Sequence, residues 1–271
     1  MTLAAAPGRF QYGWVRGGAS AAFVVGSVVA GQVVGATSFG SIVWMNGTML
    51  ALAAVAALRL PRNALDRPVV RRQPNVRALI AVPGFLPLMA LAALVLSSHA
   101  LHDGFEVLRW QVGGIGPGTA GLLWSEGVLA EVIVFVVVGP TLLRWLGPAG
   151  AAALAASAGI VRWSVTAVTA WLPAMVLVEP LHGLTFALLH LACMQMLSVV
   201  VPPALAATAQ AIYGAIAVGT MTAIMTLVSG PLYGAFGPHA FWVMALLCAA
   251  ALPIAFAMRG ISINASGSSP I

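Results

Sequence analysis

The sequence predicts an all-α, polytopic membrane helix bundle with about eight transmembrane helices. Three observations carry this. Of the 271 residues, 61% are hydrophobic and only 7% are charged, whereas a soluble domain carries about 25% charged residues. Eight apolar stretches each reach the roughly 20 residues that a ~30 Å hydrocarbon core requires. Glycine and proline pairs, the strongest local punctuation, separate them.

The first stretch, about 19–37, follows Arg9 and Arg16 and leads into further spans, so it reads as a membrane helix rather than a cleavable signal. The second, 40–59, ends at the longest connection, Arg59 to Arg77, where six arginines face the single Asp66. That connection is too polar to insert and belongs on the cytoplasmic side. The third stretch covers 79–101. The fourth, 119–138, lies between Gly116-Pro117-Gly118 and Gly139-Pro140. Gly147-Pro148 opens the fifth, 148–170, and Pro173 the sixth, 173–199. Pro202-Pro203 precedes the seventh, 207–229, and Gly237-Pro238 the eighth, 239–258. Counting spans outward from the linker puts Arg9, Arg16, Arg144 and Arg259 on the cytoplasmic side and Arg109 outside. Both termini are then expected in the cytoplasm of a bacterial inner (cytoplasmic) membrane. The expected organisation is a partial two-helix bundle at 1–59, a basic cytoplasmic linker at 60–78, a six-helix bundle at 79–259 and a disordered cytoplasmic tail at 260–271.

Several function classes are disfavoured. All basic residues are arginines, and most flank apolar runs, where they set topology; the net charge of +6 is not a nucleic-acid signature. Cys193 and Cys248 lie in apolar stretches and read as packing residues. No phosphate loop or nucleophile motif is present, so no enzyme is expected and no cofactor. Glu179-x-x-His182 resembles half of a helical di-metal site, but the second motif is absent, so no metal is expected. Gly31 with Gly35, and Gly230 with Gly234, have the spacing of close helix packing.

Chemistry concentrates in the apolar stretches. Arg162 sits near the middle of the fifth, where a charge costs roughly 2.5–3.5 kcal/mol on insertion scales. Its expected partner is an acid at similar depth, Glu131 first and Glu179 second. That pairing can serve an ion or substrate pathway, or merely join helices. On the fourth stretch Glu126 and Glu131 stand about 140° apart around a helix, and Glu131 is the better cavity carboxylate. His99, His102, Asp103 and Glu106 share one helical face near the outer end of the third stretch, as a wall or gate of a path or as a solvated helix end. Glu179, His182, Phe186, His190 and Cys193 fall on one face of the sixth, an arrangement suited to a proton relay or to hydrogen bonds between helices. Gln210 and Tyr213 share a face of the seventh and offer neutral polar contacts.

Particular motifs add a family resemblance. Tyr12-Gly13-Trp14-Val15-Arg16 with Ser20, Phe23 and Gly26 resembles the fifth helix in a branch of the major facilitator superfamily, the branch of phenylpropionate and lactose-permease-like proton symporters. Leu123-Trp124-Ser125 with Ala130-Glu131-Val132 resembles its eighth helix, and Gly159-Ile160-Val161-Arg162-Trp163 its ninth. Leu181-His182-Gly183-Leu184-Thr185-Phe186 with His190-Leu191-Ala192 resembles the tenth and is the most specific motif. Gln210-Ala211-Ile212-Tyr213, Gly230-Pro231-Leu232-Tyr233-Gly234 and Phe241-Trp242-Val243-Met244-Ala245 resemble the eleventh and twelfth. Gly18-Ala19 depart from the family's usual Trp-Gly.

The resemblance implies secondary active transport of a small organic solute coupled to protons, with a 3-phenylpropionate-like acid as the substrate class. Members have twelve helices in two halves that rock about a midplane site. By this resemblance the chain is an incomplete major facilitator fold lacking four helices. The alternative is therefore a truncated or non-transporting membrane protein, or a scaffold, needing helices from upstream or from a partner chain. Without them, the face bearing Glu179, His182 and His190 is expected to meet lipid, and the chain alone to be inactive in transport.

Overall fold

The computed structural model describes residues 12–59 and 76–260. Most of the linker expected at 60–78, and nearly all of the tail expected at 260–271, lie outside these residues. Among the described residues every regular element is helical. In chain order they are α1 (Tyr12–Ala36), α2 (Gly40–Leu58), α3 (Val76–Ile80), α4 (Phe85–Ser97), α5 (Ala100–Val112), α6 (Pro117–Ile133), α7 (Gly139–Val168), α8 (Leu172–Val178), α9 (Leu189–Val200), α10 (Ala206–Ile212), α11 (Met221–Phe236) and α12 (Phe241–Ala257). Wide π-helical turns occupy Val134–Val138, Gly183–Leu188 and Tyr213–Thr220.

Five uninterrupted helical runs are long and apolar enough to cross a membrane: Gly40–Leu58, Phe85–Val112, Pro117–Val168, Leu172–Val200 and Pro203–Ala257. Ala22–Ala36 is a shorter apolar helix. The runs of 52 and 55 residues are roughly 80 Å long at 1.5 Å per residue, more than twice the bilayer core. Each turns once, at Gly147 (φ 65°, ψ 169°) and at Gly237 (φ 54°, ψ −136°). Those backbone conformations are open to glycine and strained for any L side chain. With each long run counted as two and Ala22–Ala36 included, the chain has eight apolar helical segments among its described residues. It is a multi-pass membrane protein.

Two boundaries differ from the sequence reading. Gly139-Pro140 does not end a span. The ring of Pro140 disfavours an ordinary turn against the carbonyl of Val136, and the helix widens over Val134–Val138 and runs on to Gly147. The third passage is Phe85–Val112 rather than 79–101. It begins after Gly84, whose φ of 88° breaks the helix. It extends through the polar residues 99–106, which lowered the local hydropathy and made the helix look shorter.

By their contacts the residues form two compact units. One contains α1, α2 and Ile115–Ser125 at the start of α6. There α1 crosses α6 at Gly31: a Cβ on Gly31 would stand 2.8 Å from the Pro117 carbonyl and 3.0 Å from Gly121 Cα. Ser125 Oγ lies 2.7 Å from the Gly121 carbonyl and 3.2 Å from that of Val24. Gly31 therefore has the expected packing role. At Gly230 and Gly234 nothing among the described residues lies within 4 Å of a Cβ.

The other unit contains Pro74–Gly114 and Glu126 onward. Its core is built on small residues. Ala151, Ala152, Ala155 and Ala156 of α7 are fully buried, as are Cys248, Ala251 and Ala255 of α12. These two helices pack along one another, because small side chains let backbones approach and maximise dispersion contacts where no water drives association. Leu88, Leu91 and Val95 of α4 fill the same core. Trp145, Leu177 and Leu246 point outward, as suits a lipid-facing surface.

Candidate functional site

Arg162 lies on α7 in a backbone tied by ordinary helical hydrogen bonds, four turns beyond the Gly147 break. Its guanidinium is buried, which leaves the side chain dependent on protein partners. Nη2 donates to Glu179 Oε2 at 2.6 Å and lies 3.0 Å from His102 Nε2; Nη1 donates to His182 Nδ1 at 3.2 Å. Glu179 is equally buried. His102 Nε2 is also 3.3 Å from Glu179 Oε2, and its Nδ1 is 3.2 Å from Asp103 Oδ1. His182 Nε2 reaches Glu131 Oε2 at 3.5 Å. A continuous polar chain thus runs Glu131–His182–Arg162–Glu179/His102–Asp103, drawn from α5, α6, α7 and the turn between α8 and α9. Arg162 pairs directly with Glu179, not with Glu131 as first expected; His182 stands between Arg162 and Glu131.

The local backbone explains that exchange. Pro180 follows Glu179, and Glu179–Leu181 forms a tight 3₁₀ turn. Gly183–Leu188 then opens into a π turn. These departures from 3.6 residues per turn shift the stripe that a regular helix would have aligned. Glu179 and His182 enter the chain, while His190 turns to a separate partner, with Nδ1 at 3.2 Å from Tyr213 Oη. Phe135 packs edge-on against the His190 ring at 6.1 Å between centroids. Cys193 is fully buried. Tyr213 is buried beside His190, whereas Gln210 is exposed and does not join the Arg162 chain.

A second layer positions the first. His99 Nδ1 lies 3.2 Å from the Leu96 carbonyl and Nε2 lies 2.9 Å from Thr185 Oγ1. Its ring stands edge-on to both Trp163 and His182, at 5.3 Å in each case. Trp163 Nε1 donates to Ser98 Oγ at 2.9 Å, and Phe186 stacks on the His182 ring at 5.6 Å. Thr185, Trp163 and Ser98 were not read as site residues. Thr185 is three residues from His182, and Ser98 is a polar residue in an apolar run; those were the available signals. The expected place of His99, His102 and Asp103 near an outer helix end also changes. His102 is beside Arg162 and not at a helix end, because α5 continues to Val112. Asp103 is the exposed member, at 56%.

The chemistry follows from donor counts. A guanidinium offers only donors, so a nitrogen that accepts from it must be unprotonated. In this arrangement His182 accepts at Nδ1 and directs Nε2–H toward Glu131. A second proton on His182 removes the Arg162 contact and places two cations side by side. Of the face expected to meet lipid, Glu179 is buried, whereas His182 and His190 stay partly exposed, His182 at 19% and the neighbouring Glu131 at 17%. Among the described residues no group of three or more His, Cys, Asp or Glu side chains is arranged to hold a metal ion.

Comparison with known proteins is consistent with this architecture. The model of the family described as MFS_1 like matches residues 3–244. A relative from Escherichia coli (strain K12), named "Probable 3-phenylpropionic acid transporter", is 34% identical over 255 residues, covering 91% of this chain and 64% of the relative. The chain thus spans about two thirds of the length of the curated relative it matches. No solved structure matches it.

Proposed function

Because the chain belongs to the MFS_1 like family, we propose that it acts in secondary transport of a small organic acid coupled to protons. The observation that carries this reading is the buried Arg162–Glu179 pair with His102 and His182 on the same guanidinium. Ionisable groups inside membrane helices are costly and mark pathways. Family membership favours transport over catalysis, and the name of the Escherichia coli relative favours an arylalkyl carboxylate such as 3-phenylpropionate. A carboxylate suits the donors of Arg162, and the rings of Phe186 and Trp163 supply apolar surface close to it.

In the mechanism, a proton added at His182 Nδ1 breaks the His182–Arg162 bond, and Glu131, facing Nε2, stabilises the resulting imidazolium. The freed Arg162 donor then takes the substrate carboxylate. Alternating access requires such a change to bias two arrangements of the helices. His102 and Asp103 continue this path, His99 supports it from the second layer, and His190, Tyr213 and Gln210 serve as polar contacts away from the central arginine. The reading also holds the protein in a bacterial inner membrane with both termini cytoplasmic, 60–78 as a cytoplasmic linker and 79–259 as a six-helix bundle.

Uptake of labelled 3-phenylpropionate under an imposed proton gradient is the test. It is measured in native membrane vesicles, where other chains are present, and in proteoliposomes holding this chain alone. Uptake in vesicles that is lost with Arg162→Lys and Glu131→Gln supports the proposal. Uptake in vesicles but not in proteoliposomes adds that further helices come from another chain. Gradient-independent uptake, or none in either preparation, overturns it.

A further inference from the structure

Glu106 takes no part in the chain of ion pairs. It lies one turn outward from His102 on α5 and is 0% exposed. Neither carboxylate oxygen has a hydrogen-bond partner among the described residues. The charged and titratable groups within electrostatic reach are His102 and Arg109 on its own helix, Arg162 on α7, Glu179 beside α8 and Tyr233 on α11. Each cation nearby is committed elsewhere. Arg162 bonds to Glu179 and His182 and lies against His102, and Arg109 Nε donates to the Thr166 carbonyl at 2.7 Å. Those two ties fasten α5 to α7 at His102 and at Arg109, and Glu106 lies between them in sequence. Thr166, one turn outward from Arg162, has a buried hydroxyl with no partner among the described residues, and Glu179 Oε1 is likewise unpartnered.

A buried ionised carboxylate without a hydrogen bond or a paired cation is among the most expensive arrangements a protein can hold; the neutral acid is far cheaper. We propose that Glu106 is a second proton-binding site, separate from the Glu131–His182–Arg162 chain and set one helical turn outward from it. The inference rests on the proposed coupling to protons and gives it a further residue. Loading forms one O–H bond on a Glu106 oxygen and breaks one on the hydronium ion that delivers the proton, leaving water. Release to the opposite side is the reverse, once helix movement admits water to the carboxyl group. Such a group responds to the opening of the bundle, because hydration is what changes between its two states.

Infrared spectroscopy of the purified protein at neutral pH tests this without any transport. The wild type should show the C=O stretch of a protonated carboxyl group, shifted in D2O. The band should persist in Glu131→Gln and disappear in Glu106→Gln. Glu106→Asp, should the glutamine variant fold poorly, should keep a band at a displaced frequency. Absence of the band in the wild type, or its survival in Glu106→Gln with no displacement in Glu106→Asp, overturns the proposal. Proton-driven uptake with no such band refutes the Glu106 site alone; the band without gradient-dependent uptake refutes the transport reading alone.

Discussion

Arg162 and Glu179 meet at 2.6 Å, both buried, on neighbouring passages of the membrane. Removing one partner strands the other charge. Glu179→Gln and Arg162→Met are each expected to destabilise the protein by about 3–5 kcal/mol, while the double replacement by Met recovers much of the loss, as buried pairs exchanged for apolar residues do. Thermal unfolding in detergent measures this, with the double variant deciding between a broken pair and a misfolded helix.

His182 and His190 should behave differently although they are eight residues apart on one segment. His182→Gln cuts the link between Arg162 and Glu131, and 3-phenylpropionate binding that no longer depends on pH is the expected result. His190→Gln disturbs the bond to Tyr213, and its effect is expected on stability, about 1 kcal/mol for one hydrogen bond. Titration calorimetry on the two variants across pH separates them; equal loss of pH dependence would contradict the split.

Trp163 holds its place through Ser98. Trp163→Phe loses the 2.9 Å indole bond and is expected to cost about 1 kcal/mol, with the neighbouring His99 ring less constrained. A matching loss in Ser98→Ala and no further loss in the double variant would show that the two act as one unit.

The close crossing at Gly31 predicts intolerance there and tolerance at Gly234. A methyl group on Gly31 meets the Pro117 backbone at 2.8 Å, so Gly31→Ala should destabilise by roughly 1–3 kcal/mol through overpacking. Gly234→Ala adds a methyl group in open space and should be neutral or slightly stabilising, given the helix propensity of alanine. Unfolding midpoints of the two variants provide the comparison.

The positive-inside reading predicts that cysteines placed at residue 65 and at the carboxy terminus are labelled only from the cytoplasm. Impermeant maleimide applied to whole cells should leave both unmodified, and labelling of either from outside would require the topology to be redrawn.

Hydropathy alone made the apolar helices legible, because a lipid environment demands long apolar runs whatever their order in space. Arg162 was equally legible as a charge that needed an acid. Which acid was not, since the choice between Glu131 and Glu179 depends on a 3₁₀ turn at Pro180 and a π turn after it, and both alter the angular bookkeeping of a regular helix. The burial of Glu106 and the contact of His102 with Arg162 were hidden for a related reason. Polar residues that face a bundle interior lower the hydropathy of a run just as solvated ones do, and the sequence does not record which way they point.

The same salt bridge has a consequence for biogenesis. Arg162 and Glu179 are 17 residues apart, on passages joined only by Thr169–Trp171. During synthesis the arginine reaches the insertion machinery before its acid exists outside the ribosome. A lone arginine at mid-membrane resists partitioning by roughly 2.5–3.5 kcal/mol, so the passage through α7 gains its full membrane preference only when the next one arrives to neutralise it. The two should leave the translocon as a hairpin, and a stop codon placed between them should leave the first stranded at the membrane surface.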